Sequence, residues 1–169
     1  MAKEKKTLTK DMIPDDFSLG LALTDGLPVI FFGINTLLLG MHFGSKLFLL
    51  GAIVSFLSGA GKVLWKVIVA VKRKNIWWLF MQMRIFMPAG FLLMLFALFV
   101  DHRLLDGHAF MAGFTSMPSF IFFLFGILSL ILMTVFAFTL NNSDLKSNWI
   151  EQTTNAIGQL CFMIGLFLL

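Results

Sequence analysis

Long apolar runs alternate with short polar joins along this chain. A helix needs about 20 apolar residues to cross the hydrocarbon of a bilayer, and five runs reach that length, at 21–41, 47–71, 76–100, 119–140 and 149–169. The joins "HFGS", "KRKN" and "NNSDLKSN" are of the length that links antiparallel neighbours. Only "DHRLLDGHAFMAGFTSMP" is longer, with room for a short interfacial or re-entrant helix before Pro118, which suits the first turn of the fourth run. The pattern predicts an all-α fold, a polytopic transmembrane helix bundle of about five spans. A polar tail over 1–20 precedes a single transmembrane domain over 21–169.

Composition agrees. Of 169 residues 59% are hydrophobic and 13% charged, and the mean hydropathy of +0.91 is too high for a soluble domain of this size. The chain has 21 Phe, four Trp and no Tyr, which suits lipid-facing helices with Trp at the interfaces. The net charge of +4 orients the protein and does not mark a nucleic-acid partner, because no soluble surface is large enough for a basic groove. With the N-terminus in the cytoplasm, Lys3, Lys5, Lys6, Lys10, Lys72, Arg73, Lys74 and Lys146 fall inside and only Lys46 and Arg103 outside. Trp65, Trp77, Trp78 and Trp149 then form an aromatic belt at the inner interface, and the C-terminus lies outside. The tail is too long and polar for a cleaved signal, so the first span is expected to be an uncleaved anchor in the cell (inner) membrane.

Charges inside apolar spans are costly and usually face the bundle interior or a water-filled cavity. Here they are Asp25, Lys62, Lys66, Arg84 and Glu151. At about 1.5 Å of rise per residue, Asp25 lies roughly 6 Å, Lys62 roughly 14 Å and Arg84 roughly 12 Å from the inner end of its span, with Lys66 and Glu151 nearer the surface. These positions, from four different runs, converge on one inner-half layer, which Gln82, Gln152, Asn155 and Gln159 extend. Glu151, Asn155 and Gln159 recur every four residues and so form one stripe.

Facing can be read for the second run. Gly51, Ser55 and Gly59 make a small-residue ridge of the kind that lets helix backbones approach closely in a membrane. Lys62 and Lys66 continue it, seven and eleven residues beyond Ser55, so both point toward the packed side. Lys66, the shallower, can also carry its ammonium to the headgroups along its stem. Pro28 and Pro88 deprive the carbonyls of Thr24 and Arg84 of their helical donors. A packing kink is the plain consequence; an opened turn that puts Asp25 at a ligand site is the alternative.

Much chemistry is absent. "LSGAGKVLWK" looks like a phosphate-binding loop, but Val63 follows Lys62 and Phe56 stands where the first glycine is required. Catalytic and metal motifs such as H-E-x-x-H, G-x-S-x-G and C-x-x-C do not occur, and the lone Cys161 rules out a disulfide framework. His42, His102 and His108, with Asp101 and Asp106, are too loosely spaced for a metal site, and no cofactor is indicated.

The first reading is therefore a small transporter or binding protein, with a cytoplasm-facing pocket for an anionic or amphiphilic molecule or a lipid. Its ligand-binding residues would be Asp25, Lys62, Arg84, Glu151, Asn155, Gln159, Gln82 and Lys66. The alternative is a non-catalytic subunit or assembly factor whose charges form a structural ion-pair layer. Gly51, Ser55 and Gly59, or Gly158, Cys161 and Gly165, would then seat a partner membrane subunit or a second copy. An enzyme acting on lipid, with Asp25 or Glu151 as acid or base, lacks a nucleophile.

Overall fold

The computed structural model describes residues 18–104, 107–140 and 145–169. The basic tail residues Lys3, Lys5, Lys6 and Lys10, together with Asp106, lie outside them. The described chain runs α1 (Leu19–Phe43), α2 (Lys46–Lys72), α3 (Trp77–Val100), a 3-10 turn (His102–Leu104), α4 (Gly107–Thr115), α5 (Ser119–Thr139) and α6 (Leu145–Phe167). This is a bundle of helices, as the apolar runs require. The long join does hold a short helix, α4.

Each boundary has a local cause. The Ser18 hydroxyl accepts from the Leu21 N–H at the start of α1. Gly44, at φ 64°, ends α1 in the left-handed conformation that glycine adopts without strain. Ser45 follows at once and caps α2 by accepting from Phe48 N–H, while its own hydroxyl donates to Asp101 Oδ2 at the end of α3. Two residues, Gly44 and Ser45, thus join α1 to α2. Pro28 sits inside α1, which stays helical from Leu19 to Phe43, so the opened turn at Asp25 does not form and Pro28 is accommodated within the helix.

The packing order follows the small residues. α3 lies on α2, α2 on α1, α1 on α6 and α6 on α5, with α4 against α5. At the α2–α3 crossing a Cβ placed on Gly51 would sit 2.7 Å from the Gly90 carbonyl oxygen and 2.8 Å from the Met94 nitrogen, so the two backbones are as close as glycine permits. Phe48, Ala52, Met94 and Ala97 form the core beside this crossing. Gly59 faces Val29 of α1 instead, so the predicted ridge serves two neighbours.

Among the described residues α1, α2, α3 and α5 are each long and apolar enough to cross a membrane; the fifth run forms α6, a helix of 23 residues whose first half carries Lys146, Glu151, Gln152 and Asn155. Two expectations are corrected. Gly158 and Gly165 pack on Ser129 and Phe123 of α5, within this chain, so they do not wait for a partner. Trp65 is not part of a belt: it is 1% exposed, meets the Phe80 ring at a tilt of 41° and donates through Nε1 to Asn75 Oδ1 at 3.0 Å. The tight α2–α3 link, with Arg73 at φ 48°, folds Asn75 back to meet it. Trp78 is 69% exposed and Trp149 38%. The result is an integral membrane protein built as a helical bundle.

Candidate functional site

α1 buries Leu21, Ala22, Asp25 and Pro28 along one face, and α2 buries Ser55, Ser58, Gly59, Trp65, Lys66 and Val69 along the face opposite. Three- and four-residue steps put each set on one side of its helix. Asp25 and Lys66 meet where the two faces close: Lys66 Nζ lies 2.9 Å from Asp25 Oδ2, and each residue is 4% exposed. Lys66 therefore does not snorkel to the headgroups; a carboxylate waits on the neighbouring helix. Lys62, half-buried, and Glu151 of α6 are both near enough to act on Lys66 electrostatically. Two acids and two bases make this cluster formally neutral.

Arg84 is the clear departure. It is exposed on the outer side of α3, with its guanidinium 5.1 Å from the centroid of Phe80. It shares the depth of the polar layer and not its direction. Gln82, two residues earlier, does turn inward, where its Nε2 donates to the Ser58 carbonyl at 2.9 Å and ties α3 to α2. Gln152 is buried.

Beside the ion pair, toward the middle of the bundle, lies a cavity of about 230 Å³. α1 supplies Pro28, Val29 and Phe32, α2 Ser55 and Gly59, α3 Met87 and Phe91, and α6 Asn155 and Gln159. Ser55 is 1% exposed, and its hydroxyl has no hydrogen-bond partner among the described residues. Asn35 Nδ2 donates to both the side-chain and backbone oxygens of Gln159, at 3.1 and 3.0 Å. That clamp occupies the Gln159 acceptor and leaves its Nε2 to donate elsewhere.

No protein-family model, curated protein or solved structure matches this chain. Function must therefore be argued from the geometry.

A larger depression of about 290 Å³ lies between α1 and α2, but its lining is apolar except for Thr36. The Thr36 hydroxyl already donates to Phe32 O at 2.9 Å, so that groove offers packing without directional chemistry. Among the described residues no cluster of His, Cys, Asp and Glu could hold a metal. On the far side Asp101 accepts from Ser45, and His102 Nδ1 lies 3.0 Å from the Phe99 carbonyl.

Of the residues expected at a ligand site, the fold joins Asp25, Lys66, Lys62 and Glu151 in one cluster and Asn155 and Gln159 in the cavity next to it. It gives Gln82 a helix-tying role and turns Arg84 away. Ser55, expected only as packing, lines the cavity. Asn35 and the walls Phe32 and Phe91 carry no individual sequence signal, although Asn35 lies two turns from Pro28 on the same face of α1.

Proposed function

We propose that the protein is a small membrane-embedded binding protein, the substrate-holding element of a transporter, for an amphiphile with an uncharged hydrogen-bonding head. The observation that carries this reading is the cavity walled by four helices, into which Asn155 and Gln159 bring polar groups among Phe32, Met87 and Phe91. Binding sites have this character: mostly apolar walls with a few convergent polar groups that fix orientation. The Asn155 and Gln159 amides suit a hydroxyl or carbonyl, whereas Lys66, already matched by Asp25, is not a free anion contact. Met87 and Phe91 also border an open depression on the outer side of α3, a lateral way in for a molecule arriving from the bilayer.

The test is photolabelling with a diazirine-bearing monoacylglycerol, compared with a fatty-acid anion of equal chain length. Labelling of the peptides around Met87 and Phe91, competed by unlabelled monoacylglycerol and reduced several-fold by Asn155→Leu and Gln159→Leu, is the expected result. Labelling spread evenly over the exposed faces of α3 and α5, or indifferent to both substitutions, would overturn it.

A second reading, a non-catalytic subunit or assembly factor, is favoured by the closure of Asp25 on Lys66 within the chain. On that reading the charges fix helix register and nothing enters the cavity.

A further inference from the structure

The outer side of α3 carries a feature that the cavity does not explain. Arg84 is exposed, and Met83, Met87, Pro88, Phe91 and Leu92 surround it with an open apolar depression of about 470 Å³. Among the described residues its guanidinium meets the ring of Phe80 and no carboxylate. A permanent cation seven residues into a span, roughly 10 Å along the helix from Trp77, is not left facing hydrocarbon. Helical side chains lean toward the N-terminus, and the seat over Phe80, one turn closer to the Trp77 end, records that lean. The guanidinium is thus drawn toward headgroup depth, and the trough runs from it toward the bilayer centre.

We propose that Arg84 and this trough form a binding site for one anionic phospholipid, with the phosphate on the guanidinium and an acyl chain along Met83, Met87 and Leu92. Charge favours this occupant. Lys72, Arg73 and Lys74 are exposed at the same end of the bundle, so the local field selects an anionic headgroup over a zwitterionic one. Guanidinium matches phosphate with two parallel hydrogen bonds, and methionine walls adapt to a flexible chain. A partner helix fits less well, because close approach needs small residues and Gly90, next to the trough, is already engaged with α2. The inference stands on Arg84 and does not require a ligand in the inner cavity.

Native mass spectrometry of the full chain, released from micelles containing equal phosphatidylglycerol and phosphatidylcholine, reads this directly. The wild-type chain should retain one phosphatidylglycerol in preference to phosphatidylcholine. Arg84→Gln should lower that retention about ten-fold, Arg84→Lys should keep part of it, and Leu92→Trp, which fills the trough at an exposed position, should also lower it. Thermal melts confirm that each variant is folded. Asn155→Leu should leave it unchanged, which separates this site from the cavity reading. Equal retention of both lipids, full retention by Arg84→Gln, displacement by soluble glycerol phosphate at equal concentration, or an acidic membrane protein that co-purifies only with Arg84 intact would each overturn the proposal.

Discussion

Asp25→Asn and Lys66→Met, singly and together, test whether the charge cluster holds the bundle. At 2.9 Å the pair's gross attraction is about 6 kcal/mol for an effective dielectric of about 20, before desolvation is subtracted. The net worth of such a pair is far smaller, but removal of one partner leaves the other charge buried, at a cost of about 3–5 kcal/mol. Both residues are 4% exposed, so water cannot relieve the orphan. Glu151 also acts on Lys66, which puts Asp25→Asn at the lower end, about 3 kcal/mol. The double variant leaves no charge unmatched between the two positions and retains only an imperfectly bonded amide, a cost of about 1–3 kcal/mol. Unfolding of all four proteins in mixed micelles, followed by helicity, gives the cycle. The double variant should be more stable than either single by at least about 1 kcal/mol, with a coupling of several kcal/mol. Losses that simply add, or singles that each cost less than about 1 kcal/mol, would show that the pair does not anchor α1 to α2.

Ser55→Ala should leave the stability unchanged or raise it by up to about 1 kcal/mol, read by melting, because a buried hydroxyl without a hydrogen-bond partner among the described residues is removed. Gly51→Ala should cost about 1–3 kcal/mol in the same unfolding assay, since its Cβ would meet the Gly90 and Met94 backbones. Gly20→Ala is the control: its Cβ would meet nothing nearer than Ser18 Oγ at 4.0 Å, so stability should be equal or slightly higher. Trp65→Phe removes the donor to Asn75 and should lower stability by about 1 kcal/mol, read as an earlier thermal transition.

Depth and direction were not equally legible. Rise along a helix places Asp25, Lys66, Lys62 and Glu151 in one layer, and the fold brings them together. The same rise places Arg84 at that level, yet it points outward. α3 is apolar around its whole circumference apart from Gln82 and Arg84, so its sequence does not distinguish a bundle face from a lipid face. In a soluble helix a polar stripe would mark the outside; in lipid both sides are hydrocarbon-like. Helix α2 was readable because its ridge of Gly51, Ser55 and Gly59 breaks that symmetry. Even there the ridge named a close approach and not the partner, and Gly90 is recognisable as that partner only once α3 is seen against α2.

The sequence by itself determined what depends on length and transfer free energy: an all-helical membrane protein, the position of its helices to within a few residues, and the place of each charge along its helix. Tertiary structure alone decided which way those charges face and which helix meets which. It closed Asp25 on Lys66, turned Gln82 to the Ser58 carbonyl, seated Gly158 and Gly165 on α5 and left Arg84 on the outer surface. The reason is physical. Burial from water is a one-dimensional property of a segment, whereas rotation about a helix axis and choice of neighbour are set by packing and hydrogen bonding between residues distant in the chain.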